Sequence, residues 1–229
     1  MLHGGRATGG DPVSELLLIA ASGLAREVLA TVRSSGQYDV AGFLDDEMSG
    51  IDVDGAPVLG PIDDAVNYAH AFVLVCLDSG PARKTVVDRL AAMGIAHARY
   101  ATVIDPSVRI PEGCRIGRGS ILLRNVTLTA SVTLGSHVVA MPSVTFTHDD
   151  DVADFATFAA GASLGGGVRI GTAASLGMNS SVRERTSVGA FATVGMGAAV
   201  LSNVPDGETW ACMPAHAIDP GSFPIGSGR

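Results

Sequence analysis

The chain has 229 residues, 47% of them hydrophobic, enough for one large domain or two small ones, and the change of pattern at residue 103 favours two. Its 5% aromatic residues against 29 glycines argue against a layered domain filled with large rings and for small residues and tight turns. A formal charge of -8 without any Lys/Arg-rich stripe excludes a nucleic-acid partner, and no segment has the apolar length of a membrane span.

The first dozen residues, MLHGGRATGGDP, lack the apolar core of a signal peptide and read as a flexible tail over residues 1–13. The odd count of three cysteines (Cys76, Cys114, Cys212) without CxxC reads as buried thiols in a reducing, cytoplasmic compartment. LLLIAA, residues 16–21, is a short apolar run that meets Ser22-Gly23. LAREVLATVRSSG follows, with apolar residues at Leu24, Val28, Leu29 and Val32. The spacing predicts strand, tight turn and helix.

DVAGFLDDE predicts a second strand ending in Asp45-Asp46, PIDDAVNYA a short helix, and AFVLVCL a third strand. PARKTVVDRLAAMG predicts a helix stopped by Gly94, and AHARY a fourth strand. Such alternation implies a small Rossmann-like parallel sheet over 14–102, with ligands taken beyond the carboxyl ends of the strands. Those ends carry Ser22-Gly23, Asp45-Asp46 and Asp78-Ser79-Gly80. The first turn holds one glycine of a dinucleotide fingerprint, so a phosphate cradle and a plain strand-to-helix turn both remain open. Likewise Asp45-Asp46 reads either as a grip on ribose hydroxyls or as an exposed pair beside a turn.

From residue 103 an apolar position recurs every six residues from Ile104 through Phe146 to Val200, seventeen times without a break. At the chain's own hydrophobic frequency such a run arises by chance about three times in a million, and a discount of about a hundredfold for choice of frame leaves it significant. Four residues after each member stands a mostly small or β-branched residue, as at Val108, Val132, Ala156 and Val168. Glycine often follows directly, as at Gly135, Gly165 and Gly177. A helix would rotate a six-residue position around its axis, whereas short strands joined by sharp corners return it to the same orientation. The expected fold class is therefore α/β plus all-β: a triangular parallel β-helix over 103–216, capped by VPDGETWACMPAH, with a tail over 217–229.

Three stretches, IAASGLAREVL, GFLDDE and FTHDDDVADFATFAAGASLGGGVRIG, resemble the bacterial sugar O- and N-acyltransferases related to sialic acid O-acetyltransferase and bacillosamine N-acetyltransferase. The resemblance implies a left-handed hexapeptide-repeat β-helix, a homotrimer with active sites between subunits, acetyl-CoA as co-substrate and no metal. It also implies a sugar or nucleotide-sugar acceptor held by the first domain. By position it makes His148 the catalytic base and Asp149 the acid beside it. Gly166 would contact the thioester carbonyl through its amide, and Met178 and Met196 would offer amides to the pantetheine arm. Ser22, Gly23, Asp45 and Asp46 would meet the nucleotide. The chain departs from the pattern at Ala20 and Leu24, where the family turn has Gly and His, at Thr157, where several relatives carry a second histidine, and at Ala211 to His216, which keeps Pro-Ala but loses a Lys.

Acyl transfer from a thioester needs a base to take the acceptor's proton and donors for the oxyanion. His148, followed by three aspartates, suits the first task; the alternative is a solvated corner histidine. A three-histidine zinc site finds only His137 and His148 between residues 103 and 204, unless His216 folds back. His137, His70 and His97 read as surface turn residues, and Arg183 and Arg185 either as partners of CoA phosphates or as exposed corners. The expected activity is acetyl-CoA-dependent acylation of a sugar amine or hydroxyl by direct transfer. Acylation of a non-nucleotide metabolite and a non-catalytic trimeric scaffold are the alternatives.

Overall fold

A computed structural model of the protein describes residues 13–219. The expected tails fall outside that range, except for Val13 and residues 217–219. Among the described residues no helix is long and apolar enough to cross a membrane.

The first domain is built on β1 (Glu15–Ile19), α1 (Gly23–Ser35), β2 (Asp39–Leu44), β3 (Asp52–Val53), β4 (Ala56–Gly60), β5 (Phe72–Val75) and α2 (Gly80–Ala92). The strand order is β3-β4-β2-β1-β5, with β1 parallel to both β2 and β5. Leu16, Leu18 and Leu74 pack on the α1 face with Val28, Leu29 and Val32. Alternate residues Leu17, Ile19, Val73 and Val75 pack on the opposite face with Leu90 of α2. Side chains of a strand point to both faces in turn, so a continuous apolar run such as LLLI suits a sheet covered on both sides. Ser22 caps α1 by accepting from the Ala25 amide, and Gly36 ends it with φ 66°, a left-handed conformation that costs glycine little.

Two expectations are corrected. AHARY is not a fourth strand: His97–Arg99 is a 3-10 turn, and only Tyr100 bridges to Val73. The segment lacks a run of β-branched residues, and Arg99 donates to the carbonyls of Ala71 and Tyr68, folding the chain back locally. The fourth parallel strand is β4, delivered by a short hairpin with β3 whose Asp52 to Gly60 segment gave no predicted element.

The second domain is a left-handed parallel β-helix of two-residue strands. Each strand pairs in register with the strand 18 residues on, as Thr133 with Asp151 and Thr145 with Ser163, so three strands make one coil. On the first face stack Val103–Ile104, Ile121–Leu122, Val139–Ala140, Thr157–Phe158, Ser175–Leu176 and Thr193–Val194. The second face runs from Thr127–Leu128 to Ala199–Val200, and the third from Arg115–Ile116 to Ser187–Val188. The six-residue frame points inward from Leu122 to Val200. Ile110 is the exception, 40% exposed in the opening coil, where no strand lies beneath it. At the corners a left-handed φ recurs every six residues from Asn125 to Gly197. At the far end Thr209–Ala211 and His216–Ala217 close the first face, with Trp210 against the core.

Outward residues of the first face explain how the domains meet. Val103, Ile121 and Val139 are fully buried in the same cluster as Leu16, Val28 and Leu74. Above them Arg83 of α2, also fully buried, donates to the carbonyls of Leu77, Asp78, His137, Phe155 and Ala156 and to the Thr157 hydroxyl. Thr157 in turn donates to Asp78 O at 2.7 Å. One guanidinium thus ties α2 to two successive coils. Burial lowers its pKa to about 10, which leaves it charged at neutral pH.

Candidate active site

His148 stands at the corner between the second and third faces, two residues past the inward Phe146. Its Nδ1 lies 2.9 Å from Asp149 Oδ2, and both side chains are exposed. One coil further on, at the same corner, is Gly166. A side chain at 166 would overlap the His148 imidazole, so only glycine lets the two coils stack there with the ring in place. The coils are tied by Gly167 N to His148 O at 2.8 Å.

Six-residue corners leave one amide per turn outside the rung pattern. Gly165 and Gly167 donate to Val182 and His148, while the Gly166 amide between them has no partner among the described residues. Met178 and Met196 repeat this: Gly177, Asn179, Gly195 and Gly197 are all bonded, and the amides of Met178 and Met196 are not. At the remaining corner Ser136 N is covered by Asp154 and Ala190 N by Asp206, while the equivalent amides of Asp154 and Thr172 have no partner among the described residues. Uncovered donors thus stand at all three corners, those of Gly166, Met178 and Met196 among them.

Those two corners do not coincide. Met178 and Met196, both exposed, stack between the first and second faces, whereas His148 and Gly166 lie between the second and third. Within one chain the structure brings His148, Asp149 and Gly166 together and leaves the two methionines across the second face.

In the first domain Ser22, Asp45 and Asp46 line one cavity of about 300 Å³ with Ala20, Ala21, Glu47, Ile62 and Leu77. Gly23 opens α1 beside it, with open space where a side chain would stand. Asp45 accepts from the amides of Ala21, Glu47 and Met48. Asp46 accepts from Ile62 N and pairs with Arg89 at 2.5 Å, which holds its carboxyl below the ordinary range. Both carboxylates brace loops at the cavity's rim. Ala20 has φ 74°, a left-handed conformation that glycine adopts without strain, and Leu24 is buried in the α1 core. Asp78, Ser79 and Gly80 lie elsewhere, in a cavity of about 430 Å³ between α2 and the first face, with Thr157, Ala173, Ser175 and Phe191.

Other readings change. His137 is no surface residue. It is 2% exposed, stacked on Phe155 at 5.0 Å and edge-on to Tyr100 at 4.6 Å, because the first domain covers its corner. His70 and His97 are exposed. Of the thiols only Cys76 is fully buried; Cys114 is half-buried and Cys212 exposed. Among the described residues no three His, Cys, Asp or Glu side chains are grouped to hold a metal. Sequence reasoning passed over Asp150, buried beneath His148, although a carboxylate in a column of small and β-branched residues marks it. Arg83 gave no such signal, since an arginine on a helix is ordinarily a surface residue.

Residues 15–90 match the PglD N-terminal domain family. Among curated proteins none matches by sequence. Among solved structures, the acetyltransferase domain of PglB from Neisseria gonorrhoeae, in complex with acetyl coenzyme A, is 28% identical with a TM-score of 0.83, covering 90% of this chain and 100% of that one. WeeI from Acinetobacter baumannii is 27% identical with a TM-score of 0.80, covering 90% and 100%. PerB from Caulobacter crescentus, in complex with CoA and GDP-perosamine, shares the fold at 23% identity and a TM-score of 0.82, covering 93% and 99%. With its PglD-type first domain and its hexapeptide coils, the chain is similar, over about nine-tenths of its length, to bacterial sugar acyltransferases of the hexapeptide-repeat type.

Proposed function

We infer that the protein is an acetyl-CoA-dependent acetyltransferase that acylates an amine or hydroxyl of a sugar, with His148 as general base and no covalent acyl-enzyme. The observation that carries this reading is the His148 corner, an exposed imidazole backed by Asp149 with the unpaired Gly166 amide directly above it. Asp149 on Nδ1 leaves Nε2 to take the acceptor's proton as its nitrogen or oxygen attacks the thioester carbonyl, and the carboxylate stabilises the imidazolium. The Gly166 N–H donates to the oxyanion. Collapse expels the CoA thiolate, which recovers the proton. The neighbours that hold acetyl coenzyme A or CoA support the donor.

The unpaired amides of Met178 and Met196 suit the amide-rich pantetheine arm, yet they sit on the wrong corner to serve their own His148. A homotrimer, in which one chain's His148 corner faces a neighbour's methionine corner, brings both sets to one groove. The first domain, residues 14–102, then supplies the acceptor cavity.

A second reading, in which the acceptor is not nucleotide-linked, is favoured by Ala20 and Leu24. The first puts a methyl in the turn, and the second turns an apolar side chain into the core instead of toward a phosphate. One experiment addresses both readings. Purified protein with acetyl-CoA and a panel of free, UDP-linked and GDP-linked amino sugars releases CoA, and His148→Ala lowers that rate by at least about a hundredfold. Undiminished turnover in the variant removes His148 as base, and saturable binding of a nucleotide sugar removes the second reading.

A further inference from the structure

Four residues beyond each inward member of the frame the chain places a small or β-branched residue, and in the coils around His148 these are Val132, Val144, Ala156, Ala162 and Val168. Asp150 occupies that column. It is 1% exposed, and an unpaired buried carboxylate is costly enough that such groups persist only where they are bonded. The bonds are specific. Oδ2 accepts the Thr147 amide at 2.8 Å and Oδ1 the Val168 amide at 2.9 Å. Filling the column with a polar group and satisfying the next coil needs far less: Ser120 does so with a hydroxyl that accepts Val138 N at 3.0 Å. What the carboxylate adds is reach to two amides at once, one immediately before His148 and one just after Gly166-Gly167.

We propose that Asp150 is a positioning residue for acyl transfer, its buried carboxylate locking the His148 corner of one coil to the Gly166 corner of the next. The inference rests on the reading of His148 as base and Gly166 as oxyanion donor. The His148 ring lies against Gly166 and its one hydrogen-bond partner among the described residues is Asp149, itself exposed and left-handed at φ 64°, so the backbone of residues 147–149 sets where the imidazole stands. The titratable groups acting on Asp150 are His148 and Asp149 of its own corner; the coils below and above present Val132 and Val168. Burial raises the Asp150 pKa to about 6 against the opposing pull of the two amides. A proton there turns an acceptor oxygen into an O–H aimed at an N–H, and the lock opens.

The test uses the panel acceptor with the fastest turnover and follows kcat from pH 4.5 to 8. In the wild type the protonation of Asp150 adds a second acidic limb to that of the general base, so log kcat falls with a slope approaching about 2 on the acidic side. Asp150→Val, which restores the apolar column, lowers kcat by about 10- to 100-fold with the KM for acetyl-CoA within about threefold, and its acidic slope drops to about 1. Asp150→Asn keeps the shape and one acceptor and shows the same slope of about 1; it decides the matter if the valine variant does not fold. Wild-type kcat in both variants overturns the proposal, as does a loss of rate that leaves the acidic slope at 2. An active His148→Ala variant would instead overturn the assignment of the base, so the two failures are told apart.

Discussion

His137 shows how the junction between the domains imposes a protonation state. Burial is the main cause, with Arg83 and His97 adding repulsion against a weaker pull from Asp154, and together they lower its pKa from 6.5 to about 4. Above pH 6.5 the ring is neutral folded or unfolded, and it contributes no pH dependence. As pH falls below 6.5 the unfolded chain takes up a proton that the folded chain refuses until about pH 4, so stability drops by about 2–4 kcal/mol across that window. Asp150 works the other way: with its pKa raised to about 6, the folded chain between pH 6 and 3.8 holds a proton that the unfolded chain has lost. The two slopes largely cancel in the wild type. In His137→Phe, whose ring keeps the stack on Phe155, only the Asp150 slope remains. Denaturant midpoints of variant and wild type therefore agree near pH 8 and diverge toward pH 4.5, the variant gaining. Parallel curves through that range contradict a neutral buried imidazole.

Between the elements, the seat of the first domain was legible and its fastener was not. The outward residue just before each frame member is polar or charged nearly throughout, as at Thr127, Thr133, Asp151 and Arg169; the large apolar exceptions are Val103, Ile121 and Val139. They recur every 18 residues, one per coil, and so mark the face and the three coils on which the domain sits. The β-helix itself was readable because a period of six fits no other regular structure. The edge hairpin of β3 and β4 and the 3-10 turn at His97–Arg99 were not, because β3 has only two residues, β4 (APVLG) carries a proline and ends in glycine, and a single turn leaves no periodicity to detect. Arg83 was hidden for a different reason: its partners are backbone carbonyls, which sequence does not display. Arg83→Met keeps much of the volume but strands the carbonyls of Leu77, His137 and Phe155 without a donor, while Ala156 keeps the Val139 amide. The expected cost is about 3–5 kcal/mol, read as a lower melting temperature and as protease cleavage near residue 80 before the coils unfold. Arg83→Lys, with one point-like donor in place of a planar fork, recovers only part of it.

For the molecule as a whole, the sequence located each half of the candidate site, since the frame fixes His148, Gly166, Met178 and Met196 at corners. That the halves occupy different corners needed the three-sided coil. An assembly that joins them makes a prediction no single-chain site does. Pro142 stands at the corner of Met178 two coils earlier, so the local backbone accepts proline, and Met178→Pro removes the free N–H with little else disturbed. Both Met178→Pro and His148→Ala homo-oligomers are expected to be nearly inactive. Unfolded together and reassembled at equal ratio, they form mixed trimers in which each groove draws its histidine from one chain and its amide from the next. A competent groove takes the histidine of a Met178→Pro chain and the amide of a His148→Ala chain, each with a chance of about one half. About a quarter of the wild-type rate should return from two inactive parents. Light scattering checks that the mixture is trimeric. If each chain carries its own complete site, or if the protein is monomeric, mixing restores nothing, and the groove between neighbours is ruled out.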